Sequence, residues 1–215
     1  MLLTTTGILL CTQLFRQFDA EIRRAGWLKS YYAVHVIHNL SIVALTAQDV
    51  WRSFTLQGGQ TNWGAIILCY ALHLYHIVDY YPVFRFDDWL HHGLMIGIAL
   101  PLGSMIPAGP LLGCNLFFTT GLPGAVSYGL LFLERNGRLN TWTTKWCNAA
   151  TNLWLRAPGC VAQSALTLSY VLSDPHISSW QTGCGVLIAM LTAWNGLYFM
   201  EQAIRSKWIA HANGN

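Results

Sequence analysis

Apolar residues in this chain come in six long blocks, roughly 31–50, 62–81, 89–107, 110–133, 146–172 and 181–203. Each is close to the ~20 residues a helix needs to cross ~30 Å of hydrocarbon at 1.5 Å per residue. Turn-forming clusters separate them: QGGQTN at 57–62, IPAGP at 106–110, ERNGRLN at 134–140 and SDPH at 173–176. The pattern predicts an all-α, polytopic membrane helix bundle with about six transmembrane helices. Residues 14–28 read differently. Leu14, Phe15, Phe18, Ile22 and Trp27 share one face, with Arg16, Asp19, Glu21, Arg23 and Arg24 on the others. That is the pattern of an amphipathic helix lying in the interface ahead of the first span. The expected organisation is an interfacial segment over 1–30, a transmembrane domain over 31–204 and a cytosolic tail over 205–215.

Composition fits this reading. Hydrophobic residues make up 53% of the chain and charged residues 10%, against about 25% charged in soluble domains. The net charge of +3 is spread over connecting segments without a basic arm, so no nucleic-acid partner is expected. The six cysteines show no CxxC or zinc-like spacing and read as buried thiols. MLLTTTGILLC lacks the basic start of a secretory signal. Of the twelve lysines and arginines, ten lie on one side of the expected membrane, Arg52 on the other, and Arg156 within a span. The positive-inside rule then puts both chain ends on the cytosolic side of an endoplasmic reticulum or other organelle membrane.

The candidate chemistry is polar groups inside these blocks. Residues 73–92, HLYHIVDYYPVFRFDDWLHH, hold four histidines and three aspartates. His35 and His38 fall one and two turns into the first block, and His73 and His76 at similar depth in the second. Asp79 is near that block's mouth, and His91 and His92 open the third. Ionisable residues in a bilayer mark functional interiors. Arg156 falls about 15 Å deep, counted at 1.5 Å per residue, beside Asn152 and a Pro158 break. Gly121-Leu122-Pro123-Gly124 interrupts the preceding block at similar depth. A polar pocket reaching from the cytosolic face to mid-membrane is the simplest arrangement.

Pairs at i, i+3 (35/38 and 73/76) share a helix face, as metal ligation would need, yet no HxxHH box occurs. Interhelical hydrogen bonding is a second reading. General-base catalysis by His91 or His92, oriented by Asp88 three and four residues earlier, is a third. Asp87 and Asp88 also suit the first turn of the third helix as caps. No metal or cofactor is assigned.

A first span with histidine, an aromatic second span, a helix opened by His91-His92, a kinked FFTTGLPGAVSYGLLFL and a span bearing NLWLRAPG follow one another over residues 30–203. That order resembles the TLC-domain family, which groups ceramide synthases with translocating-chain-associated membrane proteins. The resemblance implies a cytosol-facing bundle around a lipid-sized cavity, with His91 and His92 matching the paired histidines of acyl-transferring members. It departs from ceramide synthases in HHGLMIGIALPLGSMIPAGP, which lacks their Ser-Tyr, Asn-Arg and His-Asp elements. The expected function is therefore lipid binding or handling near His35, His38, His73, His76, Asp79, Asn152 and Arg156. The alternatives are an accessory subunit of a larger membrane complex, or an acyl-CoA-dependent acyltransferase using His91, His92 and Asp88. The expected partners are membrane lipids, with other membrane subunits under the second reading. Whether any reaction is catalysed stays open.

Overall fold

The computed structural model describes residues 2–212, except the side chains of Leu2, Leu3 and Asp87. Capping by Asp87 and the last three residues of the expected tail thus lie outside the described residues. The rest folds as seven helices with no strand among the described residues. We number them α1 (Leu2–Arg24), α2 (Ser30–Phe54), α3 (Trp63–Tyr80), α4 (Phe86–Leu94 continued to Met105), α5 (Pro110–Arg135), α6 (Thr141–Thr151 continued to Ser173) and α7 (Ser179–Ala212). Two of them, α5 and α7, are long and apolar enough to cross a membrane.

Six helices close into a ring, and contacts along each seam give its order. Asp49, Asn39 and Val36 of α2 lie against Gly113, Gly124 and Gly129 of α5, so the two run antiparallel. Ser127 and Asn115 of α5 hydrogen-bond Asn148 and Gln163 of α6. Val171 and Cys160 of α6 meet Gly185 and Gly196 of α7. Ile106 at the end of α4 packs with Cys184 and Ile188 of α7. Leu100 of α4 joins Ile66 and Cys69 of α3, together with Ile42 of α2. The glycines matter at these seams because small residues let the helix backbones approach closely.

The first helix stands outside this ring, and here the structure departs from the sequence reading. Instead of starting near residue 14 and lying flat, α1 starts at Leu2 and runs parallel to α3. Gly7 lies by Ile67, Thr12 Oγ1 donates to the Ala71 carbonyl at 3.3 Å, and Phe15 meets Tyr75. Arg16 Nε donates to Asp79 at 2.9 Å, and Tyr80 Oη donates to Asp19 at 2.8 Å. The residues buried on α1, Thr12, Phe15 and Asp19, recur every three to four positions and form the α3-facing stripe. Leu9, Leu10 and Leu14 face outward instead. Leu2 and Ala212 therefore lie at opposite ends of the bundle, whereas the basic-residue count had placed both chain ends on one side. At the other terminus, helix α7 runs through the expected tail to Ala212.

The proline breaks also resolve differently. The helices are not interrupted; each contains one widened π-turn, at Met95–Ala99, Phe117–Gly121 and Asn152–Arg156. Each turn ends two residues before a proline: Pro101, Pro123 or Pro158. The residue preceding the proline donates its N–H five residues back, Leu100 to Met95, Leu122 to Phe117 and Ala157 to Asn152. Proline has no N–H, and its ring crowds the carbonyl four residues earlier. Widening the turn relieves that clash while the helix continues.

The Arg16–Asp79 pair is partly exposed, with side chains 42% and 17% accessible. Arg16→Ala is expected to cost less than about 1 kcal/mol, as exposed ion pairs do. A denaturation midpoint that fell far more than this would show that the pair anchors α1.

Candidate functional site

Inside the ring lies a cavity of about 460 Å³ to which all six helices contribute. The three π-turns surround it: Met95, Thr119 with Thr120, and Asn152 with Arg156 all line its wall. Such turns are frequent at functional sites, because the extra residue re-aims side chains that a regular helix would turn away. Outside its lining, a polar lattice ties α5 to α6, in which Gln163 Nε2 donates to the Leu111 carbonyl at 3.0 Å and to Thr167 at 2.8 Å. Asn115 donates in turn to Gln163 and Thr192. A hollow of similar size at the opposite end, about 470 Å³, is lined by loops with Arg52, Tyr170 and Asp174 and by no histidine.

One wall is imidazole. The His35 and His76 rings are 4.5 Å apart, His76 and His92 5.5 Å, His73 and His92 5.2 Å, His73 and His91 5.3 Å, and His91 and His92 5.4 Å. The structure thus brings five histidines from α2, α3 and α4 into one cluster. His38 also lines the cavity, but its ring lies edge-on to Phe15 and its Nδ1 meets Asn39 Oδ1 at 2.8 Å. Within the double histidine the roles separate. His91 lines the hollow and is exposed to it, whereas His92 is buried and stacks on Phe84 at 4.7 Å. Consecutive helical residues point about 100° apart, and here that divergence leaves His91 on the cavity wall and His92 off it.

Backbone contacts fix two tautomers. The Tyr31 and Cys69 carbonyls can only accept, so His35 and His73 hold a proton on Nδ1, at 2.8 Å and 2.7 Å from them. In the neutral form each then presents a bare Nε2 lone pair. Nε2 of His73 and of His76 is buried and has no partner. No three of the described histidine, cysteine and carboxylate side chains are arranged to hold a metal ion.

The other wall is a cation. Arg156 is 7% exposed and makes no hydrogen bond or ion pair among the described residues; its guanidinium lies 4.8 Å above the Phe199 ring. Beside it on α6, Asn152 Nδ2 donates to Asn148 Oδ1 at 3.1 Å, and Asn152 Oδ1 is left unpaired. Tyr128 stacks on His35 at 3.8 Å and lines the cavity along with Arg156. Among the described residues, no aspartate or glutamate lines this cavity.

Both expected carboxylates therefore lie elsewhere. Asp79 faces α1, held by Arg16. Asp88 accepts the Arg85 backbone N–H at 2.9 Å, closing the first turn of α4, and makes no hydrogen bond to His91 or His92. Tyr128, Ser127, Asn148, Thr119, Thr120 and Asn195 belong to the cavity but were not singled out from the sequence. Ser127 and Asn148 bond each other at 2.7 Å. Their one legible signal was being polar within apolar blocks.

No family model matches this chain, and no curated protein or solved structure is similar to it. The site is read from its own geometry.

Proposed function

We propose that this protein spans a membrane through its helices and binds a lipid in the cavity, with an acidic group of the lipid head seated on Arg156. The observation that carries the proposal is the unpaired guanidinium: a buried cation with no carboxylate among the described residues of the cavity wall calls for an anion from outside the chain. The polarity of the bundle supports the membrane setting. His38, Asn39, Thr46, Asn152 and Gln163 are buried, while Leu9, Leu40, Leu45, Met190, Trp194 and Leu197 face outward, the reverse of a soluble domain. Under this reading all seven helices span, α1 beside the six-helix ring, with the basic residues on the cytosolic side of an organelle membrane. A TLC-like bundle around a lipid cavity accords with the same layout.

The geometry favours binding over acyl transfer, because Asp88, expected to orient His91 or His92, hydrogen-bonds the Arg85 backbone N–H and neither imidazole. It favours a ligand over a purely structural subunit, because the interior is hollow and several of its polar atoms, on His73, His76, Asn152 and Arg156, are unmet. The test is native mass spectrometry of protein released from mild detergent. We expect one acidic lipid class retained near one per chain, enriched well above its share of the surrounding membrane. Protein that flies lipid-free, or carries lipids in bulk proportion, would exclude the proposal.

A further inference from the structure

The two unmet walls ask for opposite partners. Arg156 offers only donors, and its Nε is buried and unpartnered. The histidine wall offers acceptors: His35 and His73 have their protons committed to backbone carbonyls, and Nε2 of His73 and of His76 has no partner. Five rings this close, with no carboxylate among the described residues of the cavity wall, cannot all be cations, so this wall presents lone pairs. Tyr128 stands between the walls, stacked on His35, with its hydroxyl able to serve either side.

Resting on the lipid-binding reading, we infer that the ligand is an acidic polyol lipid: a phosphodiester seated on Arg156 and neutral hydroxyls donating to the imidazoles of His35, His73 and His76. Each element of that head answers a specific deficit. The phosphodiester carries one negative charge against one guanidinium, whose planar fork matches two phosphate oxygens. Hydroxyls supply donors to the lone pairs without adding charge to a cavity that holds no acid. An ammonium head would add a second cation there, and a trimethylammonium head has no N–H to give. Buried acceptors left unpaired are costly, so a site of this kind rejects heads that lack the donor.

The experiment is a competition on the wild-type protein in nanodiscs. Phosphatidylglycerol, phosphatidic acid, phosphatidylethanolamine and phosphatidylcholine of identical acyl chains are offered at equal amounts, and retained lipid is counted by native mass spectrometry. We expect phosphatidylglycerol to be retained at least tenfold over each of the others. Phosphatidylglycerol and phosphatidic acid retained equally, both above the other two, would overturn the inference while leaving the anion on Arg156 standing. A preference for phosphatidylethanolamine would overturn it in favour of a cationic donor. Retention of no lipid at all would bring down the lipid-binding reading itself. His73→Phe with His76→Phe should then reduce the phosphatidylglycerol preference over phosphatidic acid to about one while phosphate-bearing lipids are still held. An unchanged preference in that variant would remove the imidazoles from the site.

Discussion

Arg156→Leu is expected to empty the cavity without unfolding the protein. In a site sheltered from water, truncating one partner of a buried, hydrogen-bonded charge pair costs about 2–5 kcal/mol. At about 1.4 kcal/mol per decade, lipid retention should fall by roughly one and a half to three and a half orders of magnitude. Stability should move the other way or not at all. The lipid-free wild type keeps an uncompensated cation with only a ring contact to Phe199, worth about 2 kcal/mol when desolvated. Leucine removes the desolvation cost of that cation and keeps most of the packing. Thermal unfolding of lipid-depleted samples and native mass spectra of lipid-loaded ones read the two effects separately. A clear drop in unfolding temperature with lipid retention intact would make Arg156 a structural residue and sink the proposed function.

Gly159→Val is expected to be among the most damaging single changes in the bundle. A Cβ at 159 would run into the Phe118 ring of α5, and Gly159 lies just past the π-turn that aims Arg156. The neighbouring seam is nearly as tight, with a Cβ at Gly196 reaching 2.7 Å from Cys160 Cβ. Forcing side chains into such contacts costs about 1–3 kcal/mol, occasionally more. We expect a marked loss of folded yield and a lower unfolding temperature, and Phe118→Ala in the same chain should restore part of both. Contacting residues couple in this way, and distant ones add. An unchanged unfolding temperature for Gly159→Val would mean that α5 and α6 do not pack as closely as described.

Much of the site was legible because helical spacing is local. His73 and His76, three apart, share a face whatever surrounds them, and the structure finds both on the cavity wall. Arg156 and Asn152, four apart, behave likewise. The double histidine could not be read so simply. Adjacency in sequence means divergence on a helix, and only tertiary packing decided that His92 stacks on Phe84 while His91 lines the hollow. Asp79 was misplaced for a related reason: its partner Arg16 is 63 residues away, so nothing near it in sequence reveals the ion pair. Tyr128, Asn148 and Asn195 were missed because a single polar residue in an apolar block does not say which way it faces.

The amino-acid sequence alone determined the helical class, the positions of α2 to α7, the three prolines and the helix faces that carry histidine. All of these follow from periodicity and from the chemistry of one residue and its near neighbours. Tertiary structure decided the order of the ring, the placement of α1 beside α3, the conversion of the proline breaks into π-turns and the meeting of five imidazoles opposite one guanidinium. Those features depend on contacts between segments far apart in the chain. Side-chain fit, such as Gly124 under Asn39 or Gly159 under Phe118, selects among helix arrangements that periodicity treats as equal.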